Sequence, residues 1–354
     1  MYPRVDIQVE GVLANFAAIR AAAEARGVAL SLVTKALAGY QPLVERLIEA
    51  GATSLGEAHV HTLRKYDGLP VEKWMIRLPL ISQAYDVVRH TDVSLNTELA
   101  TIRALGAAAE DQSKRHKVVI MVESGDRREG VLPDRVVEVC VETSRVPGIE
   151  LHGLGTEFGC VSDVVPSPDA MDQFARLVDE VETALGRTLP VISGGSSNGL
   201  GLLIDGQMPP RINHLRVGET ILTGKIANFG TPLPGGSVSP FTLSAEIIEV
   251  VDKPSLPSGP RAPGQTPVDA DPHFPDRGVR RRALVAVGKQ DVGIHSLSPH
   301  DPAILIEEGS SDVFVADITD SATTYEVGDI LTFAMDYFAI LPAMVSEFVE
   351  KRLV

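Results

Sequence analysis

Eight short apolar runs separated by helical periodicity constrain this chain more than any other feature. The runs lie at 28–33, 53–55, 74–77, 93–95, 118–122, 149–155, 190–193 and 214–217. Each is short enough to be a buried strand. Between and after them, apolar residues recur at helical spacing over 13–26, 41–50, 57–66, 83–90, 98–111, 134–144, 169–185 and 198–205. Strands alternating with helices imply a parallel sheet with right-handed crossovers. Eight such units predict closure into a (β/α)8 barrel, an α/β fold of about 250 residues. A doubly wound open sheet is the competing arrangement. Gly27, Gly51, Gly148 and Gly186 each follow a helical stretch and read as its stop.

Beyond about residue 230 the texture changes. Pro232-Leu233-Pro234-Gly235-Gly236 breaks the alternation, and the segments 241–251, 283–287, 304–307, 313–318 and 330–335 are β-rich with no long amphipathic helix between them. We expect a barrel domain over 1–230 and a smaller all-β domain over 231–354. Residues 253–278, dense in Pro, Gly and Asp, read as a long loop.

The net charge of -15 argues against nucleic acid or an anionic membrane as the main partner. The two cysteines, Cys140 and Cys160, form neither a disulfide framework nor a zinc spacing, and Cys140 sits in a core pattern. The opening residues lack the apolar core of a signal peptide, and no run approaches a membrane span, so the expected location is the cytoplasm.

In a βα barrel, functional groups follow the carboxyl ends of the strands. The first run ends at Lys35. A lysine there either snorkels into water or, stripped of its proton, attacks a carbonyl as a Schiff-base lysine. The sixth run leads to Glu157. The seventh opens Ser193-Gly194-Gly195-Ser196-Ser197-Asn198-Gly199, where glycines admit close backbone approach and Ser196 and Ser197 add hydroxyls. With Gly218 after the eighth run, this loop reads as a phosphate cradle. Arg216, on the eighth run, is a permanent cation that could meet a ring nitrogen, an anion, or Glu157 or Glu219 as an ion pair. Pyridoxal phosphate is one ligand that satisfies all three, with an aldehyde for Lys35, a phosphate for the loops and a ring nitrogen for Arg216.

These residues resemble the fold-type III pyridoxal-phosphate enzymes, the alanine racemase superfamily. Val33-Thr34-Lys35-Ala36 looks like its cofactor-lysine motif and Leu215-Arg216-Val217-Gly218 like its arginine-glycine motif. Gly125-Asp126-Arg127-Arg128-Glu129-Gly130, Ser94-Leu95-Asn96, Ile192-Ser193-Gly194-Gly195, Gly288-Lys289-Gln290-Asp291-Val292 and Glu350-Lys351 are similar to the ornithine racemase branch. The resemblance implies that Lys35 carries pyridoxal 5'-phosphate and is one acid/base. It implies that Ser197, Gly218 and the amide of Glu219 bind phosphate, that Arg216 faces the pyridine nitrogen and that Arg128 lies near the substrate. It also implies a head-to-tail homodimer in which each site is completed by the partner's β-domain.

The chain departs from alanine racemase where that family places a tyrosine as second base. The matching segment here has none, which leaves Lys289 and Asp291 as candidates, with Ser310, Ser311 and Asp312 behind them; a salt bridge from Lys289 to Asp291 or another carboxylate is the alternative. Glu157 stands where the family packs a histidine over the cofactor, and a phosphate-binding tyrosine has no match near Ser346. The expected function is racemisation of a small-molecule substrate, ornithine or another basic amino acid, with Glu157 or Asp126 meeting the side-chain ammonium. A decarboxylase or other lyase on the same fold, an alanine-type racemase, and a cofactor carrier are the alternatives.

Overall fold

The first strand, β1 (Arg4–Ile7), stands outside the barrel. The eight that follow pair in chain order and close on themselves: β2 (Ala29–Val33), β3 (Ser54–Glu57), β4 (Glu72–Met75), β5 (Val93–Asn96), β6 (His116–Val122), β7 (Ile149–Thr156), β8 (Val191–Ser193) and β9 (His214–Val217). Closure is made by parallel pairing of β2 with β9, which sets Ser31 opposite Arg216 and Leu32 opposite Val217. The computed structural model describes residues 1–264, 266 and 275–354.

The outer helices form where the apolar stripe and the end signals coincide. The helix Gln41–Glu49 buries Leu43, Val44 and Leu47, one stripe of a 3.6-residue period. Each such side chain contributes about 1.5–3 kcal/mol by leaving water. The helix Pro168–Leu185 starts on Ser167, whose hydroxyl accepts from the Ala170 amide at 3.2 Å, and stops at Gly186 with φ 66°. Gly27, Gly51 and Gly148 also have positive φ, as a helix stop requires.

The barrel interior is divided. Around β4 to β6 it is an apolar cluster of Trp74, Val93, Leu95, Val119 and Met121. Around β8, β9, β2 and β3 it carries buried Ser193, His214, Arg216, Ser31 and Ser54.

The remaining strands are β10 (Phe241–Pro254), β11 (Val279–Val285), β12 (Leu297–Pro299), β13 (Leu305–Gly309), β14 (Phe314–Asp317), β15 (Ile330–Met335) and β16 (Glu350–Leu353). The long β10 lies between β1 and β15 in its first half and turns at an irregularity near Ile247 to pair with β11. Phe241, Phe314 and Phe333 fill this core, the last two edge to face at 5.5 Å between ring centres.

Three expectations need correction. The division at residue 230 moves: the two units are Val9–Val238, and Met1–Gln8 with Ser239–Val354. The first eight residues change unit because β1 pairs antiparallel with β10 and parallel with β16. A four-residue strand is placed by its hydrogen-bond partners, and these lie at the far end of the chain. The second unit also holds a helix, Tyr337–Val345, that the β-rich texture did not announce. Finally, the 253–278 loop is shorter than expected, since Lys253 and Pro254 belong to β10; of the rest, residues 265 and 267–274 lie outside those described.

Candidate active site

The carboxyl ends of β2, β3, β7, β8 and β9 form one mouth of the barrel. β2 delivers Thr34 and then Lys35, which opens a single 3-10 turn (Lys35–Leu37) with an exposed side chain. β3 delivers Glu57, which is 1% exposed. Its carboxylate accepts from the Ala58 amide at 2.8 Å and lies 3.5 Å from the Thr34 hydroxyl. Burial pushes Glu57 up to about 7, against the pull of the Ala58 amide and the Lys35 charge. Tyr66 donates to the same Thr34 hydroxyl at 3.2 Å. The backbone just before Lys35 is therefore pinned by two buried side chains.

Arg216 is 2% exposed and held on two flanks. Its Nη1 donates to Ser193 Oγ at 2.5 Å, and its Nη2 donates to the Thr156 carbonyl at 2.9 Å and to Glu157 Oε2 at 3.0 Å. The ion pair foreseen as one alternative for Arg216 is thus present. Glu157 also accepts from the Phe158 amide at 3.1 Å and lies 3.9 Å from Arg128 Nη2. Arg128 makes a two-pronged pair with Glu129, which raises its pKa further although partial burial opposes the charge.

The loop between β8 and the turn Ser197–Gly199 forms a cradle. Gly195 has φ 111°, a conformation that favours glycine. Ser197 Oγ accepts from the Gly218 amide at 3.1 Å and the Thr220 amide at 3.4 Å. Ser196 is half-buried beside it, and Glu219 opens a short helix, Glu219–Thr223. Two buried oxygens here, Thr220 Oγ1 and Asn198 Oδ1, have no hydrogen-bond partner. Buried polar atoms are rarely left so, and a phosphate oxygen would accept from the Thr220 hydroxyl. The residues present therefore fit a phosphorylated cofactor. The helix Leu200–Ile204 is shorter than the sequence pattern implied, so local amides and hydroxyls, not the end of a long helix, line the cradle. Gly218 is dictated by packing as well: a Cβ there would lie 2.8 Å from Val33 Cβ.

Asp126 is hydrogen-bonded within the rim loops. Although burial opposes its charge, the amides of Val161, Ser162 and Cys160 and the Ser162 hydroxyl hold its carboxyl below the usual range and tie the β6 loop to the β7 loop. The side chain is 3% exposed, and what the structure shows it doing is joining these two loops.

In the β-rich unit, Lys289 pairs with Glu308 at 2.6 Å. Asp291 is buried and accepts from Ser346 Oγ at 2.7 Å and from Gln290 at 3.3 Å. The alternative of a carboxylate partner for Lys289 is realised, and the partner is Glu308. Ser310 and Ser311 both donate to Asp312. His214 escaped the sequence reading, and Glu57, Ser193 and Thr220, though they stand at strand ends, were given no individual role there. A hydroxyl two residues past Gly218, and a histidine two residues before Arg216 on the same strand face, were the available signals.

Residues 7–225 match the family model described as alanine racemase, N-terminal domain. The chain belongs to the alanine racemase family. It is 36% identical to the ornithine racemase of Acetoanaerobium sticklandii over 357 residues, with 100% of each chain covered. It is 32% identical to the lysine racemase of Thermotoga maritima over 353 residues, covering 99% of this chain and 98% of that one. Among solved structures, the alanine racemase from Bartonella henselae with covalently bound pyridoxal phosphate superposes with a TM-score of 0.74 at 15% identity, covering 99% of both chains. The last likeness is one of fold. Among the described residues no helix is long and apolar enough to cross a membrane, and no group of His, Cys, Asp and Glu could hold a metal ion.

Proposed function

We propose that this protein is a pyridoxal-phosphate-dependent amino-acid racemase acting on a basic amino acid, ornithine or lysine. The observation that carries the reading is that a chain matched end to end by racemases of both amino acids has Lys35 just past the end of β2 and a buried Arg216 on the adjoining β9, with a cradle nearby that holds an unmet hydroxyl.

When bound, the cofactor supplies an electron sink that acidifies the α-carbon of an attached amino acid. Lys35 would hold the cofactor and move the proton on one face of that carbon. Ser196, Ser197, Thr220 and the amides of Gly218 and Glu219 would hold its phosphate. Arg216 would face the ring nitrogen as a donor that does not release its proton, so that nitrogen stays unprotonated. That favours proton exchange over more drastic chemistry. Glu157 keeps Arg216 in place and compensates its buried charge. Arg128, held by Glu129, would lie toward the substrate.

The opposite face needs a second proton carrier. We assign it to Lys289, with Asp291 as the alternative, contributed by the partner in a head-to-tail homodimer. The support is positional, since both stand in the segment where alanine racemase supplies its second base. A cytoplasmic location is supported by the two cysteines, both unpaired.

The test is incubation of the purified, cofactor-loaded protein with L-ornithine, L-lysine or L-alanine in D₂O. α-Deuteration and formation of the D-isomer are expected from ornithine or lysine and much less from alanine. Exchange with none of them would overturn the assignment, and release of CO₂ would move it to a decarboxylase.

A further inference from the structure

Beneath the mouth, a line of polar side chains runs down the barrel wall from Arg216, and Ser193, His214, Ser31 and Ser54 in it have no task in the reaction proposed for the site. His214 and Arg216 are two residues apart on β9, so both point into the barrel. Arg216 Nη1 donates to Ser193 Oγ at 2.5 Å, and Ser193 Oγ is 2.9 Å from His214 Nδ1. His214 Nε2 is 2.9 Å from Ser31 Oγ, which is 2.6 Å from Ser54 Oγ. All five residues are buried. The imidazole also stacks on Trp74, 4.6 Å between ring centres at an interplanar angle of 11°.

The guanidinium sets the direction of this chain. It only donates, so Ser193 must accept from it. Ser193 has one proton to give, and the acceptor in reach is His214 Nδ1. That nitrogen then carries no proton, and Nε2–H donates to Ser31, whose own proton goes to Ser54. In the other tautomer, Nδ1–H would face Ser193 as a second donor, and the buried Ser193 proton would lose this acceptor, an expensive outcome. A cationic ring is disfavoured in the same way: burial, with Arg216 and His152 nearby, pushes His214 down to about 3.

We propose that His214, as the neutral Nε2–H tautomer, is a positioning residue that fixes the guanidinium of Arg216 through Ser193. Its functional side rests on the assignment of Arg216 to the cofactor ring. Glu157 and the Thr156 carbonyl anchor one edge of the guanidinium, and Ser193 anchors the other. Without the second anchor the group is free to swing onto Glu157. The stack against Trp74 keeps the imidazole plane, and hence the direction of both its hydrogen bonds, in register.

The first measurement is ¹⁵N NMR of histidine-labelled protein without cofactor, with His214 among the nine histidines identified by its loss in His214→Gln. The expected signature is an unprotonated Nδ1 and a protonated Nε2 at neutral pH. The second is kinetic. In the cofactor-loaded enzyme, Ser193→Ala should lower kcat about ten- to hundredfold, the size expected for one hydrogen bond to a charged group, while KM for the amino acid stays within about twofold. Ser193→Thr should restore most of the loss. An Nδ1–H or cationic His214, or a Ser193→Ala enzyme with wild-type kcat, overturns the proposal. If the wild-type protein exchanges no α-proton, the assigned reaction fails, and the tautomer still decides whether Arg216 is set by this chain.

Discussion

Arg216 Nη2 lies 3.0 Å from Glu157 Oε2, and the two side chains are 3% and 7% exposed. A cation this deep is tolerable because a carboxylate, a backbone carbonyl and a serine share its donors. Removing one member of a buried pair leaves the other uncompensated. Glu157→Ala should therefore lower the unfolding free energy by about 3 kcal/mol, and Glu157→Gln, which keeps an acceptor, by clearly less. Urea unfolding midpoints of the two variants check this, and equal midpoints would show that charge pairing is not what holds Arg216.

The Glu57 carboxyl has a folded pKa of about 7 against an ordinary 4.5, raised by burial. The folded protein thus binds this proton more tightly than the unfolded chain. Stability should fall as pH rises from about 4.5 to about 7 and be insensitive to this group above that range. The span is on the order of 3 kcal/mol. Glu57→Gln removes the dependence, so its stability relative to wild type should improve between pH 5 and pH 8. Denaturant midpoints at both pH values, compared between the two proteins, measure the effect.

Lys35 has an exposed side chain, and its replacement opens no cavity. Lys35→Ala should keep its melting temperature within a few degrees while losing both the covalent cofactor absorbance and turnover. Spectra after dialysis against cofactor, alongside thermal melts, give the answer; retained turnover would mean that the anchor is another residue.

Lys289 and Glu308 form an exposed pair, with side chains 48% and 55% accessible. Such pairs contribute about 0–1 kcal/mol. Lys289→Met should accordingly be as stable as wild type and bind cofactor, yet fail to racemise. Loss of D-isomer formation with α-proton washout from one enantiomer retained is the expected pattern in D₂O. Normal racemisation would place the second proton carrier elsewhere.

Much of this molecule was legible in the sequence because the signals are local. Eight apolar runs spaced by helical periodicity are enough to imply a closed barrel, and strand-end positions are enough to nominate Lys35, Arg216 and the 193–199 loop, since function in this architecture collects at one end of the strands. What only the tertiary structure decided was pairing between residues remote in sequence. β1 joins the β-rich unit because its partners are β10 and β16. Asp126 reads as a free carboxylate until the amides of residues 160–162 are seen to surround it. His214 sits in an apolar run and reads as core; its link to Arg216 exists because β8 lies against β9 and brings Ser193 between them. Periodicity is a property of neighbours along the chain, whereas the proton inventory of a buried site depends on which strands closure sets side by side.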